Sequence, residues 1–402
     1  MDKKIGLELE LNLIDKEGNL SNKADEILLD PRNNSDIIGE LSQSMIEVIG
    51  PPSDKIYKVG SDFAQNLLLL DTIAKDFGLM LVPSTTVGKD AYPVSNDSRR
   101  IRGMRKRKVL GNRLRDLEHH ICGTHVHIDH LSSQEKTYKQ YLVMQAMDPL
   151  FTLMSSTPFF LGNNTKKDYR VDIYRNVVFK DFPLQGQLVD YPSSIEDILK
   201  RRQEGFDHWL SMDKYDGTDG FKPEDTCWGP IRLCKKTVES RCADANLLSH
   251  VLGFAALYQA ASHYVDEEDP TIVIDRNAAV SQKGYFTPKG RKVVIPGYQF
   301  LKQCESEGIS DGLDSEIVYP YVKNIVRLIQ PYIKKEDIIY IEPILDLLEK
   351  RKTFSDEIIS YARDEGLEKD HMLKDSAARD VRQYIATRYD SDLRSTAKKM
   401  GF

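Results

Sequence analysis

The sequence predicts an α+β fold in which a sheet turns one apolar face toward helices and keeps its other face polar. Three observations carry this prediction. In the run GLELELNLID, residues 6 to 15, the alternation puts Leu7, Leu9, Leu11 and Leu13, together with Ile5, on one face and Glu8, Glu10 and Asn12 on the other. The same arrangement returns in GTHVHID, where His125 and His127 oppose Val126 and Ile128, and in TVESRCAD, where Glu239 and Arg241 oppose Val238. Elsewhere apolar residues recur at three and four, the period of helices that can cover the apolar face.

In chain order, the first strand leads to a turn at Gly18-Asn19, and ELSQSMIEVIGPP, residues 40 to 52, reads as a second strand ended by Pro51-Pro52. Residues 53 to 77 form a helix on the positions Ile56, Val59, Phe63, Leu67, Leu70, Ile73 and Phe77, with Ser53 or Asp54 as N-cap and Gly78 just past the end. LMLVPSTTV supplies a short strand, and ICGTHVHID is the third clear one. Helices are expected at about 133 to 148, 193 to 210 and 246 to 265, and CWGPIRL and TVESRCAD form strands on either side of a short turn. From about residue 315 the periodicity is mainly helical. No repeat, low-complexity tract or linker compels a boundary, so residues 1–402 are predicted to form a single domain.

With 40% hydrophobic and 29% charged residues the chain has the composition of a soluble globular protein. Its net charge of −6 speaks against general affinity for nucleic acid, although a local patch can act against that background. The first residues lead straight into a strand, and no stretch approaches 18 consecutive apolar residues, so a cytoplasmic protein without membrane association is expected. The cysteines Cys122, Cys227, Cys234, Cys242 and Cys304 are odd in number and irregularly spaced, which predicts reduced thiols. Those beside the strand motifs, Cys122, Cys227 and Cys242, read as small buried hydrophobes.

Unpartnered charges on a covered face would cost several kcal/mol each, so the polar groups must pair with one another or hold a cation. Several carboxylates, few imidazoles and no thiolate pair favour a hard divalent ion, Mg2+ or Mn2+, and magnesium in turn suggests a nucleotide phosphate that arginines would face. One spacing is awkward: Glu40 and Glu47 are seven apart and would point to opposite faces of an unbroken strand. A bulge must intervene, or Glu40 must precede the strand proper.

Taken in order, GLELEL, ELSQSMIEVIGPP with its E-x6-E spacing, CGTHVHID, TPFFLGN, CWGPIRL and TVESRCAD resemble the type 2 glutamate-cysteine ligases and related carboxylate-amine ligases of the glutamine synthetase-like superfamily. The likeness spans residues 5 to 245, and DSAARDVRQYI is similar to the family's C-terminal helix. It implies a curved, mostly antiparallel sheet whose concave face holds metals and ATP, with helices behind it. By matching position it implies Glu8, Glu10, Glu40, Glu47 and Glu239 as metal ligands and His125 as a metal or nucleotide contact. His127, Arg232 and Arg241 would face phosphate or acyl phosphate, the two arginines as catalytic groups. Tyr169 and Arg170, after PFFLGNN, would help bind the carboxylate substrate.

The implied reaction is ATP-dependent amide formation through an acyl phosphate, with small-molecule carboxylate and amine substrates and a place in glutathione biosynthesis. Glutamate and cysteine are the leading pair; another amine acceptor is the alternative, and a homo-oligomer is left open. A second class of function rests on residues 99 to 115, RRIRGMRKRKVLGNRLR, with nine Arg or Lys in seventeen residues. That run could bind nucleic acid on a non-catalytic scaffold, but it has no aromatic residue for base stacking, and its place before the histidine strand suits a loop over ATP or an acidic substrate.

Overall fold

A computed structural model describes residues 3–84, 87–91, 93–94, 106, 108–116, 120–213, 222–277, 282–374 and 376–402. Residues 99–105 and 107 of the basic run lie outside these, and with them much of the surface on which the nucleic-acid reading rests.

Seven strands form the main sheet: β1 (Ile5–Asp15), β2 (Ile37–Gly39), β3 (Met45–Ser53), β4 (Leu79–Val82), β5 (Gly123–Asp129), β6 (Ile231–Leu233) and β7 (Thr237–Asp244). They lie in the order β2-β3-β1-β5-β7-β6, with β4 paired to the far end of β1, and every pairing is antiparallel. The alternation of β1 is realised as expected: Ile5, Leu7, Leu9, Leu11 and Leu13 are buried beneath the sheet. Each such leucine taken fully out of water contributes about 1.5–3 kcal/mol.

The layer beneath is helical: α1 (Ile56–Asp76), α2 (Gln134–Ala146), α3 (Leu248–Glu268), α4 (Ile338–Lys350) and α5 (Ala377–Lys399). Helix α3 is buried on nearly every side from Leu248 to Val265, as a central helix must be. Helix α4 crosses it so closely that a Cβ on Gly253 would stand 2.6 Å from Ile344 and 2.7 Å from the Tyr340 carbonyl. The chain after residue 315 is mostly helical, as expected, apart from a two-residue strand pair at Glu368–Lys369 and Met372–Leu373.

Three local readings differ from the structure. Helix α1 begins at Ile56 with Lys55 as N-cap and no side-chain cap, because Ser53 is still in β3, opposite Ile5. Pro51-Pro52 therefore does not end the strand: the ladder skips a step between Ile5 and Leu7, and the prolines stand exposed there. A parallel pair, Thr271–Asp275 with Lys292–Pro296, was not anticipated, since short apolar runs carry no period that separates strand from helix.

Candidate active site

The register of the sheet brings the polar residues together. Across β1 and β3 Glu10 faces Glu47; across β1 and β5 Glu8 faces His125. Glu239 on β7 faces His127 on one side and Arg232 of β6 on the other. The Glu40 spacing resolves through β2, a separate strand in which Ile38 faces Glu47, so that Glu40, two residues on, reaches the same face from a neighbouring strand. A further irregularity aims Arg241: between the pairs Thr124–Ala243 and Val126–Ser240, one residue of β5, His125, meets two of β7, Arg241 and Cys242.

Glu8, Glu10, Glu40, Glu47 and His125 line a cavity of about 260 Å³ together with Arg170, Arg232 and Arg241, whereas His127 and Glu239 stand behind its lining. Ile38, Leu41, Met45, Ile49 and Ile121 supply apolar wall.

Among the acids, Glu8 is clamped between two imidazoles, 2.9 Å from His125 Nδ1 and 3.2 Å from His127 Nε2. Burial alone would raise its carboxyl, but bonds to these histidines hold it well below the usual range. Glu10 accepts a hydrogen bond from the Gly123 N–H at 2.6 Å, yet burial and the Glu40 charge push it up to about 7. Glu47 is pushed well above the usual range by burial and by the charges of Glu40, Glu8 and Glu10. Burial, with Arg241 nearby, lowers His125 to about 4, whereas His127 is raised to about 10 against burial by Cys234, Glu8 and Glu239.

Glu10, Glu40 and Glu47 each offer an oxygen within 4.8 Å of the others, and Glu8, Glu47 and His125 form a second such group. Buried carboxylates crowded until two of them resist ionisation are a donor set that a hard divalent cation satisfies, so these residues fit magnesium or manganese.

Arg232 and Arg241 are organised by Glu239, which is fully buried. Arg232 Nε donates to its Oε2 at 2.5 Å, Arg241 donates to its Oε1 at 2.6 Å, and Cys234 Sγ lies 3.2 Å from Oε2. The arginines overcome the effect of burial and hold the Glu239 carboxyl well below the usual range. Glu239, expected among metal ligands, is the hub of an ion-pair network with the two arginines that line the cavity, and it also offers an oxygen within 4.8 Å of donor atoms of His127 and Cys234.

Arg170 sits on a short helix, Tyr169–Asp172, capped by the Asp168 side chain, and approaches the Arg241 carbonyl at 3.4 Å. Its guanidinium passes so near the backbone of β5 that a Cβ on Gly123 would lie 2.2 Å from it, so any side chain there would displace the guanidinium. Tyr169 is placed outside the cavity, its hydroxyl 3.0 Å from Thr165 Oγ1 and its ring against Phe160. Tyr174 occupies the wall instead, with the Arg170 guanidinium 5.9 Å from its ring centroid.

Sequence reasoning missed Tyr174, Trp228 and Lys106, all of which line the cavity. Tyr174 could have been found four residues after Arg170, where helical side chains meet; Trp228 stands four before Arg232 in a motif already singled out. Lys106 carries no signal that separates it from its basic neighbours. Cys122 and Cys242 are buried as expected, Cys227 is half-buried, and all five cysteines are free. Among the described residues no helix is long and apolar enough to cross a membrane.

The sequence profile of the glutamate-cysteine ligase family 2 matches residues 4–285. A curated relative from Frankia casuarinae, provisionally named glutamate–cysteine ligase 2-1, is 27% identical over 328 residues, covering 78% of this chain and 76% of that protein. Among solved structures, the fold is similar to that of the glutamate–cysteine ligase of Francisella tularensis, determined in complex with AMP (TM-score 0.59, 14% identity, 100% of this chain and 93% of that one). It is also similar to a bifunctional glutathione synthetase from Pasteurella multocida (TM-score 0.59, 11% identity, 96% of this chain), of which the chain spans about half, 52%.

Proposed function

Because the chain belongs to glutamate-cysteine ligase family 2, and is therefore an ATP-dependent carboxylate–amine ligase, we propose that it joins the side-chain carboxylate of glutamate to an amine, cysteine first among acceptors, through an acyl phosphate. The observation that carries this reading is a single cavity lined by four carboxylates and three guanidinium groups. A carboxylate does not condense with an amine at neutral pH. It attacks the γ-phosphorus of ATP, ADP leaves, and the amine then displaces phosphate from the acyl carbon.

Arg232 and Arg241, kept in place by Glu239, face the charge that develops on the phosphoryl oxygens. Arg170, held behind Gly123, binds the α-carboxylate of the acid. Glu10, Glu40 and Glu47 would hold one divalent cation, and Glu8, Glu47 and His125 a second; such ions neutralise phosphate charge when bound. Glu239, bonded to both arginines, has potential ligand partners of its own in His127 and Cys234. The test is a screen of acids and amines for ADP release with products identified by mass. A γ-glutamyl amide is expected, and an amide of another acid would overturn the choice of substrate.

The acid cluster also sets a pH dependence for cation binding. Glu10 is raised to about 7 and Glu47 well above the usual range, so above the ordinary carboxylate range each holds a proton that a cation must displace. In the metal-free protein the ionisation of Glu10 costs stability as pH rises from that range through about 7, and the cation restores it. Magnesium is therefore expected to raise the melting temperature more at pH 8 than at pH 6. Equal shifts would place the cation elsewhere.

A further inference from the structure

The reaction just described leaves the basic run before β5 without a role. Among its described residues Lys108 stands exposed, and Arg113 reaches Asp181 at 2.9 Å. Lys106 is different. It is only 4% exposed, and it lines the same cavity as Arg170, Arg232 and Arg241. Its ammonium lies 4.7 Å from the centroid of the Trp228 ring. That ring is itself packed between Phe179, at 5.0 Å, and Trp209, at 4.9 Å.

Removing an ammonium from water costs several kcal/mol, so a buried lysine needs compensation. An aromatic face supplies part of it through the ring quadrupole. It also restrains an otherwise flexible four-carbon stem, leaving a compact point charge held at one wall of the cavity. A cation so placed, in the lining of a cavity that also carries three guanidinium groups, complements an anionic group bound there.

We propose that Lys106 is an anion-binding residue of the active cavity, holding a phosphate or carboxylate group of one of the two anionic substrates, with Trp228 as the surface that fixes its ammonium. The inference rests on the ligase reading for the identity of those substrates. The chemistry common to both is a charge-assisted hydrogen bond from ammonium to an anionic oxygen.

The test compares the full-length protein with Lys106→Met, which keeps most of the stem over Trp228 and removes the charge, and with Lys106→Arg. Magnesium–ATP and glutamate are titrated separately by calorimetry, and KM and kcat are measured for each. Losing a hydrogen bond to a charged group is expected to weaken one ligand about tenfold to a hundredfold, with the arginine variant recovering most of it. Weakening confined to ATP assigns Lys106 to the phosphates; weakening confined to glutamate assigns it to the carboxylate. Unchanged affinity for both ligands, whether or not kcat falls, overturns the proposal and leaves Lys106 as a brace for Trp228. If the methionine variant does not fold, Lys106→Gln carries the same comparison. The titrations do not depend on turnover, so wild-type protein that binds ATP yet forms no amide would refute the ligase reading while this test still stands.

Discussion

Glu47→Gln is expected to abolish ligase turnover, by at least about a hundredfold, and at the same time to make the metal-free protein more stable. Glu47 is directly opposite Glu10 and belongs to both groups of potential cation ligands. Burial and three neighbouring carboxylates push its carboxyl well above the usual range, so at neutral pH the folded protein carries an unfavourable charge or an uptaken proton. Glutamine matches the protonated form in shape and hydrogen bonding and removes that penalty, on the order of 1–3 kcal/mol. The melting temperature without divalent cations should rise, and its dependence on magnesium should shrink. A variant that loses activity and stability together would mean that Glu47 serves the fold.

The opposite sign is expected for Glu239→Gln. Glu239 is fully buried and supplies the counter-charge for Arg232 and Arg241. Its replacement leaves two guanidinium groups facing each other across a neutral amide. Breaking a buried ion pair from one side costs about 3–5 kcal/mol, and the arginines lose the alignment on which phosphate recognition depends. Denaturant unfolding should show that loss directly, alongside turnover reduced by about two orders of magnitude or more. If Glu239→Gln were instead as stable as the parent and lost only magnesium dependence, Glu239 would belong with the acid cluster. The two variants, alike in chemistry, thus separate carboxylates that crowd one another from a carboxylate that organises cations.

Much of this contrast was legible in the sequence, because strand alternation decides which residues share a face without knowledge of the partner strand. Glu8 and Glu10, His125 and His127, and Glu239 and Arg241 were each placed on a face from their own segment alone. What each residue meets is decided by register between strands, which the pattern of one segment does not encode. Glu10 meets Glu47 and Glu239 meets Arg232, so one carboxylate enters an acid cluster and the other an arginine network, although both are Glu on the same polar face. The three-residue strand β2 was too short to show a period, and that hid how Glu40 reaches the site. Tyr169 and Tyr174 show the corresponding limit in a helical segment, where a few residues of rotation decide which aromatic side chain enters the cavity.

The central claim, that the polar face activates a carboxylate, is tested most directly by trapping with hydroxylamine in the absence of amine. With ATP, magnesium and glutamate, the account predicts an acid-dependent hydroxamate with matching ADP release, because phosphoryl transfer precedes entry of the acceptor. The product should disappear in Glu47→Gln, which is expected to remain folded. Failure to form any acid-dependent hydroxamate across a broad panel of amino acids and other carboxylates, with ATP binding demonstrated in the same preparation, would contradict it.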